Sequence, residues 1–365
     1  MFLNRRIATL GGDKFRDEYS LAFDGSNDYV EISGAFNYNI HSISTWIKVT
    51  ADTDSKAIFD YRDANNDGIY FAIDDAERIS YQINNADGLY ATPLTEGVWY
   101  HIVATNDGST STIYLNGVSV ETADTSGETI NIAGTYPPRI GARSHTSPNN
   151  YFNGNISEVA LYNSALTASQ VKTIYNGREP YNHKEGVASN YLQAWYRMGD
   201  GIIDRIGKNA HTNTGAIADM SNYTLGTDVL GGKGDFSDAS YWTITSGQSI
   251  VESNVGKFLG NGSYGVIQKS SVLTANKIYL AKITCSANAG APVHFNFGSP
   301  YPQIIPDNET GEFSICFVAG NTNVILYATT YNEAVTIDNL TIQEVGGNAG
   351  AMINMAVEDF EGDTP

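Results

Sequence analysis

The sequence predicts an all-β protein made of two β-sandwich or jelly-roll modules, with one short helix after the first module. Hydrophobic residues make up 41% of the 365 residues and charged residues only 17%, and the Asn, Gly, Ser, Thr and Tyr in their place suit sheets joined by turns. Strand-forming runs recur along the chain, separated by NDG, DG and NG turns. The length suggests two domains, at roughly 100–200 residues each.

An N-terminal arm at residues 1–18 precedes the first module, which we place at 19–178. Alternating or β-branched runs occur in "YSLAFDGSNDYVEI", "HSISTWIKV", "KAIFDY", "GIYFAI", "VWYHIVAT", "STIYLNGVSV" and "GNISEVALY". Strands that recur after short turns indicate a sandwich or jelly roll. A helix is predicted in "LTASQVKTIYNG", because Thr167 and Gln170 form a capping-box pair and Gly177 follows the last turn.

Residues 179–229 form a connector of mixed character, and a second β-rich module follows at 230–345. Its predicted strands are "SYWTIT", "YGVIQK", "KIYLAKITCS", "VHFNF", "GEFSICFV", "NVILYAT" and "VTIDNLTIQEV". Cys285 and Cys316 lie in two of these strands. The sequence is consistent with a disulfide between them and with two buried thiols. Residues 346–365 end in "EDFEGDTP", which we expect to be a loose or partner-bound acidic tail.

The net charge is −19 and the pI is about 4.5. Such a surface repels phosphate backbones and anionic membranes and suits cations, so neither nucleic acid nor membrane is an expected partner. No stretch approaches a membrane span, and "MFLNRRIATLGGDKF" lacks the apolar core of a signal peptide. We therefore expect either a cytoplasmic protein or one that leaves the cell without a cleaved leader, as virions do at lysis.

Residues 63–74, "DANNDGIYFAID", place Asp63, Asn65 and Asp67 at the ligand spacing of an EF-hand calcium loop. An EF-hand needs a helix on each side, whereas strand formers flank this stretch. Asp67 and Gly68 form a preferred hairpin corner. We expect a plain hairpin, whose acidic tip can still hold calcium through Asp63, Asn65 and Asp67.

Five blocks of the first module resemble laminin-G-like, concanavalin A-like jelly-roll domains: "LAFDGSNDYVEI", "ISTWIKV", "WYHIVATNDGSTSTIYLNGVSV", "RIGARS" and "YFNGNISEVALYNSALTASQVKTIYN". The resemblance covers about residues 19–178 and implies a fold that lectins, adhesion modules, enzymes and spacers share. Such domains often begin with a strand like "AWYRMGDG", which here lies after the module, at 194–201. This segment either completes the jelly roll from its other end or starts a truncated second copy.

The second module is similar to carbohydrate-binding β-sandwich modules attached to glycanases, through "GDFSDASYWTI", "YGVIQKSSVLTANKIYLAKITC" and "VTIDNLTIQEV". That resemblance implies a structural calcium ion at Asp338, with Asp235 as a companion ligand. The segments "LQAWYRMGDG" and "GAMINMAVEDFEGDTP" resemble parts of tailed-phage virion proteins, notably marine ones.

An enzyme is not expected. A glycanase on a concanavalin-type fold sets two carboxylates across a sugar bond, usually from a Glu-x-Asp-x-Glu strand. The sequence has no such block, and it has no HExxH, no GxSxG elbow and no phosphate loop.

Sugar binding needs an exposed aromatic face with amide or carboxylate groups at its rim. The candidates in the second module are the aromatic residues beside turns or strand ends, with two amides as polar partners: Tyr241, Trp242, Tyr264, Tyr301, Tyr331, Gln268 and Asn296. In the first module the polar loop "RSHTSPNNYFNGN" carries Arg143, His145 and Tyr151, at the kind of position where binding residues tend to lie. The alternatives are ordinary packing for each aromatic residue and a variable connector for the loop.

The sequence thus favours a non-enzymatic phage virion surface protein, on a tail fibre or as a capsid decoration. We expect it to bind glycans or host-surface polysaccharide, to contact other virion proteins and to form a homo-oligomer, with calcium in a structural role. The alternatives are a purely structural decoration or adaptor protein, and a secreted glycanase fragment that has lost its catalytic module.

Overall fold

The computed structural model describes residues 15, 17–34, 36, 38–50, 54–84, 88–132, 136–179, 181–200, 216–222, 224–245, 247–259, 265–296, 303–305, 308–328, 334–355 and 359–365. They form four antiparallel sheets, which confirms the predicted all-β class. Within them, no helix is both long and apolar enough to cross a membrane.

The strands before the helix are β1 Ser20–Asp24, β2 Tyr29–Ile32, β3 His41–Val49, β4 Lys56–Arg62, β5 Gly68–Ile73, β6 Arg78–Ile83, β7 Leu89–Pro93, β8 Trp99–Asn106, β9 Thr110–Leu115, β10 Val118–Asp124, β11 Arg139–Ile140 and β12 Asn153–Tyr162. Helix α1, Ala168–Tyr175, follows, and its predicted capping box is confirmed because the Thr167 hydroxyl accepts from the Gln170 N–H. Val171 and Ile174 are its buried residues.

The later strands are β13 Leu192–Tyr196, β14 Ala216–Ile217, β15 Thr224–Asp228, β16 Thr243–Ile244, β17 Ser249–Glu252, β18 Val255–Phe258, β19 Val266–Lys269, β20 Ile278–Asn288, β21 Val293–Asn296, β22 Gln303–Ile305, β23 Gly311–Val318, β24 Val324–Ala328, β25 Val335–Gly346, β26 Gly350–Ile353 and β27 Phe360–Glu361.

These strands build two sandwiches. In the first, sheet 1 has the order β10-β9-β8-β3-β12-β1-β27, with β13 also on β12, and sheet 2 has the order β14-β26-β2-β11-β4-β5-β6-β7. In the second, sheet 3 has the order β17-β18-β25-β20-β23, with β15 also on β25, and sheet 4 has the order β16-β19-β24-β21-β22. Inward-facing residues such as Phe59, Phe71, Phe295 and Phe317 form the cores.

The connector and the C-terminal segment both contribute strands to the first sandwich. Strand β13 pairs with β12, so "AWYRMGDG" begins as part of this jelly roll. Strand β26 lies between β2 and β14, and β27 pairs with β1. Within "EDFEGDTP", Phe360 and Glu361 pair with β1, so this part of the expected acidic tail is not loose. Residues 350–353, which precede it, are held by their strand pairings and by buried Met352. The module boundaries at 19–178 and 230–345 stay predictions.

The second sandwich is an insertion between two paired strands. Ala216 lies opposite Ala351 and Ile217 opposite Gly350, so the chain leaves the first sandwich after β14 and returns beside it at β26. An apolar cluster joins the two sandwiches and consists mainly of Ala216, Ala218, Ile278, Leu280, Cys316, Val345 and Ala349. Cys285 and Cys316 are both buried free thiols, in line with the second alternative for this pair.

A buried cluster of carboxyl groups lies beside Arg197 in the first sandwich. The Glu158 carboxylate accepts from Arg197 Nε at 2.9 Å and from Trp195 Nε1 at 2.5 Å. Asp17 lies close to Glu158 and hydrogen-bonds to Asp200. Burial, and after it the charge of Glu158, raises the pKa of Asp17. Several carboxyl groups share one guanidinium here, so Asp17 holds its proton more tightly than an exposed aspartic acid does.

This raised pKa predicts a loss of stability with rising pH. The unfolded chain releases the Asp17 proton near pH 4, whereas the folded protein retains it to higher pH, so the unfolded state is increasingly favoured above about pH 4. We expect the melting temperature to decrease from pH 5 to pH 9, and to decrease less for Asp17→Asn, which removes the titration. Asp54→Asn, at an exposed aspartate, is the control. Equal slopes for wild type and Asp17→Asn would contradict the assignment.

Candidate functional site

The outer face of sheet 4 brings two of the predicted polar residues together. Gln268 lies opposite Ile325, and Ile325 lies opposite Asn296, so the three side chains form one row across β19, β24 and β21. In the next row, Tyr327 lies opposite His294. We call these five residues the sheet-4 platform.

The two rings of the platform stack. The His294 and Tyr327 ring centroids are 5.2 Å apart and the ring planes differ by 19°. All five side chains are partly exposed, while Leu326 and Phe295 on the same strands point into the core. Strand alternation therefore places the stacked His294–Tyr327 pair on the outer face of sheet 4, with an amide on each side of Ile325.

The remaining candidates of the second module lie elsewhere. Trp242 is 5% exposed, stacks on Phe236 at 5.1 Å and donates from Nε1 to the Lys233 carbonyl at 3.2 Å. Burial therefore argues against Trp242 as a stacking surface. Tyr241 is partly buried, and Lys269 Nζ lies 4.1 Å from its ring centroid. Tyr264, Tyr301 and Tyr331 lie outside the described residues.

A second candidate surface is a cleft of about 670 Å³ between the two sandwiches. Its polar side chains include Glu31 and Tyr136 from the first sandwich and Asn276 from the second. Clefts between domains are frequent ligand sites. Glu31 lies opposite Arg139, which lies opposite Asp60, so this polar row continues across the outer face of sheet 2.

Arg139 holds the predicted polar loop against this face. Its guanidinium donates to Glu31 Oε2 from Nη2 at 2.9 Å and from Nε at 3.2 Å. Its Nη1 donates to the carbonyl oxygens of Arg143 at 3.1 Å and His145 at 2.7 Å. The same group lies 4.8 Å from the Tyr29 ring centroid and is almost fully buried. One side chain thus connects the sheet, the loop and the cleft.

The loop residues Arg143, His145 and Tyr151 are positioned by local contacts. Arg143 Nη2 donates to Asn66 Oδ1 at 2.6 Å, which joins the loop to the β4–β5 hairpin. The His145 ring lies 5.3 Å from that of Tyr136, at the rim of the cleft. The Tyr151 hydroxyl donates to the Pro148 carbonyl at 2.9 Å.

The outer face of sheet 2 satisfies its own charges to a large extent. Arg62 pairs with Asp60 at 2.7 Å and lies 4.0 Å from the Tyr70 ring centroid. The pKa of Tyr70 is raised to about 12, and burial is the largest cause of this increase. Arg78 pairs with Asp74 at 2.6 Å at the far edge of the sheet. These ion pairs stabilise the outer face of sheet 2 and engage its charged groups with one another. The cleft beside this face is the part with space for a ligand.

The hairpin prediction for residues 63–67 is confirmed, because Arg62 pairs with Gly68 across β4 and β5. Asp63 Oδ1 accepts from the N–H groups of Asn65 at 2.8 Å and Asp67 at 3.1 Å, so this carboxylate closes the turn. Gly68 has φ +140°, and a Cβ there would lie 2.1 Å from the Tyr61 carbonyl oxygen.

The other predicted metal ligands also have local partners. Asp235 Oδ1 accepts from the Ser237 N–H at 3.0 Å and hydroxyl at 2.7 Å, and these bonds lower the Asp235 pKa. Asp338 Oδ1 accepts from the Asn339 N–H at 2.7 Å. Across the described ranges, no group of three or more His, Cys, Asp and Glu side chains has a metal-binding arrangement. The calcium site stays a prediction.

A known family model matches part of the first sandwich. Residues 24–172 match the sequence model of Laminin_G_3, described as the concanavalin A-like lectin/glucanases superfamily. This match confirms the laminin-G-like jelly roll in that part of the chain. The search of curated proteins gave no match.

Solved structures show similar architectures. A protein from Bacteroides ovatus described as carbohydrate-binding shares 20% identity over 57% of this chain and 56% of its own, with a TM-score of 0.44. The chain therefore spans just over half the length of that protein. A SAP-like pentraxin from Limulus polyphemus shares 17% identity over 44% of this chain and 82% of its own, with a TM-score of 0.38. The CBM40 of the Ruminococcus gnavus IT-sialidase shares 13% identity over 43% of this chain and 96% of its own, with a TM-score of 0.38. At these identities and TM-scores, the likenesses carry no functional information.

Proposed function

We propose that the protein is a non-enzymatic glycan-binding protein and that the sheet-4 platform is its principal binding surface. The observation that carries the proposal is the stacked His294–Tyr327 pair beside the row of Gln268 and Asn296. The C–H face of a pyranose ring is apolar and packs on such rings, while its hydroxyl groups need amides at the rim. The platform supplies both.

The side chains of the platform favour binding over catalysis. They comprise an imidazole, a phenol, two amides and an aliphatic group, and none is a carboxylate. Glycoside hydrolysis normally needs a pair of carboxyl groups that flank the scissile bond. The five platform residues alone therefore provide affinity without the acid and base of a glycosidase.

The biological setting that we propose is the surface of a phage virion, on a tail fibre or as a capsid decoration. The support is the resemblance of "LQAWYRMGDG" and "GAMINMAVEDFEGDTP" to virion segments, and a net charge of −19 that suits an exposed particle surface. The protein would bind host-surface polysaccharide weakly at each site, in a homo-oligomer whose copies raise the overall affinity. Structural calcium at Asp338, Asp235 or the Asp63–Asp67 turn belongs to the same proposal.

The alternative, a decoration or adaptor protein with protein partners only, has one observation in its favour. On β10, the outermost strand of sheet 1, Val118 is 64% exposed and Val120 is 37% exposed. An edge strand with exposed apolar side chains is a template for pairing with another chain. A mutant with charged residues at both positions would separate this contact from glycan binding.

The principal test is the loss of the Tyr327 ring. We expect Tyr327→Ala to weaken binding of a glycan selected from an array by about tenfold or more, equivalent to ~1.4 kcal/mol, because the stacking surface is removed. Tyr327→Phe keeps the ring and should retain most of the affinity. Titration calorimetry in solution avoids the avidity of an array surface.

The control is Tyr90→Ala, which removes another exposed tyrosine, 46% exposed on sheet 2 of the first sandwich. It should bind as the wild type does. Silence of the wild-type protein across a broad array would contradict glycan binding and favour the adaptor alternative. Equal losses for Tyr90→Ala and Tyr327→Ala would place the binding surface elsewhere.

A further inference from the structure

A polar trough of about 500 Å³ lies on the outer face of sheet 3. Its polar lining side chains are Lys282, Thr284, Glu312, Ser314, Asn339 and Thr341. The residues between them on the same strands are Ile283, which lies in the core of the second sandwich, and Phe313, which is partly buried and packs against that core. The trough therefore lies on the opposite side of this sandwich from the sheet-4 platform.

A β-bulge shapes the trough. Lys282 lies opposite Thr341 and Thr284 lies opposite Asp338, so Ile283 alone faces the two residues Asn339 and Leu340 of β25. The extra residue, Asn339, has a left-handed φ of 51° and is exposed, while Leu340 is buried. Bulges redirect side chains next to functional sites.

Two contacts from residues outside strands β20 and β25 fix the position of the bulge. A Cβ on Gly234 would lie 1.6 Å from the Leu340 carbonyl oxygen, so this backbone contact requires glycine. Asp228 Oδ1 also accepts from the Ile342 N–H at 2.9 Å, just beyond the bulge. The trough is thus a fixed feature of β25, supported by the end of β15 and by the segment that follows it.

The trough differs from the outer face of sheet 2 in what its polar groups bind. On sheet 2 the arginines are engaged in ion pairs with carboxylates, as for Arg62 with Asp60 and Arg139 with Glu31. In contrast, among the described residues none of the six polar trough side chains forms a hydrogen bond or an ion pair with another residue. Their hydrogen-bonding capacity is available to a ligand.

The chemistry of the lining selects a class of ligand. Thr284, Ser314 and Thr341 each supply a hydroxyl that can donate and accept, and Asn339 supplies an amide. Lys282 and Glu312 carry opposite charges that cancel, so the trough favours neither anions nor cations. Vicinal hydroxyl groups of an uncharged sugar match such a mixed set of donors and acceptors.

We propose that this trough is a second saccharide site, specific for neutral sugars, and that the second sandwich is therefore bivalent. The proposal rests on the glycan-binding function above for its biological meaning, but it uses different residues on a different sheet. Two sites on opposite sides of one sandwich can engage two glycan chains and link them.

The experiment measures stoichiometry in the full chain. Neutral hexasaccharides of glucose, xylose, mannose and galactose are titrated by calorimetry into the wild type, Tyr327→Ala, Thr284→Val/Thr341→Val and the triple variant. Valine keeps the β-branched shape and removes the hydroxyl, so the strands should be preserved. Thr336→Val, on the same strand outside the trough, is the matched control, and circular dichroism with thermal melting verifies folding of each variant.

We expect two sugars for each wild-type chain with at least one of these probes. The Tyr327→Ala variant should retain the trough site, the double threonine variant should retain the platform site and lose the trough site by tenfold or more in affinity, and the triple variant should bind neither. One site that Tyr327→Ala abolishes and the threonine variant leaves unchanged would overturn the trough and uphold the platform. Binding that only the threonine variant abolishes would overturn the platform and uphold the trough. The absence of binding by the wild type to all four probes would overturn the trough proposal.

Discussion

Deletion of residues 347–365 is expected to abolish cooperative folding of the first sandwich. The deletion removes β26 from the middle of the path between β14 and β2, and β27 from the edge of sheet 1. Met352 and Met355 are fully buried, and the loss of each such side chain alone costs about 2–5 kcal/mol. Together with the lost strand pairings, this reaches the total stability of a typical domain, ~5–15 kcal/mol.

Circular dichroism and limited proteolysis of the purified variant would measure the outcome. The control is deletion of Thr364 and Pro365, which follow the last strand and should leave the melting temperature within a few degrees of the wild type. A melting curve of the longer deletion that matches the wild type would show that the C-terminal segment is dispensable, as expected of a loose tail.

Arg139→Ala is expected to have the second-largest effect among these variants, a decrease of about 2 kcal/mol in the free energy of unfolding. The variant leaves two loop carbonyl groups and the Glu31 carboxylate without their donor, and unsatisfied groups of this kind cost about 1–3 kcal/mol. We take a low total because the Glu31 side chain is 37% exposed and water can replace part of the interaction. Urea unfolding measures the change.

Two further variants test why Arg139→Ala lowers the free energy of unfolding. Arg139→Lys keeps the charge but has one nitrogen in place of three, so it cannot reach Glu31 and both loop carbonyl groups at once and should recover less than half of the loss. Arg178→Ala removes an exposed arginine and should change stability by less than ~0.5 kcal/mol. Full recovery of stability in Arg139→Lys would mean that charge alone, and not the geometry of the guanidinium, stabilises the loop. Faster proteolysis within residues 143–150 of Arg139→Ala would support the role of Arg139 in holding the loop.

The sequence predicted the turns and helix caps, because these depend on residues that are close together in the chain. The β4–β5 hairpin follows from Asp67-Gly68 between two strand formers, and the α1 cap follows from Thr167 and Gln170. Strand β26 was missed because four residues with little alternation form a strand only between β2 and β14, which lie more than a hundred residues away in sequence.

The site was partly predictable for a related reason. Gln268 and Asn296 were identified as polar partners, but Tyr327 and His294 were not, because their stacking depends on the register of β24 against β21. The alternation in "VHFNF" and "NVILYAT" already places His294 and Tyr327 on the same sides of their strands as Asn296 and Ile325. Trp242 was a binding candidate with ordinary packing as the alternative, and the structure favours packing, because Phe236, six residues earlier in the chain, stacks on it. Arg139 lies within the quoted "RIGARS" block, where nothing local reveals its four hydrogen bonds.

The insertion of one sandwich between β14 and β26 has a consequence for synthesis on the ribosome. Translation proceeds from the N-terminus, so the first sandwich lacks β26 and β27 until residues 350–361 emerge, whereas every described strand of the second sandwich precedes them. The second sandwich can therefore fold while its host is still incomplete. Until then, β2 and β1 each present an unpaired strand edge. Termination of translation between β25 and β26 would produce a chain with one folded sandwich and one prone to aggregate.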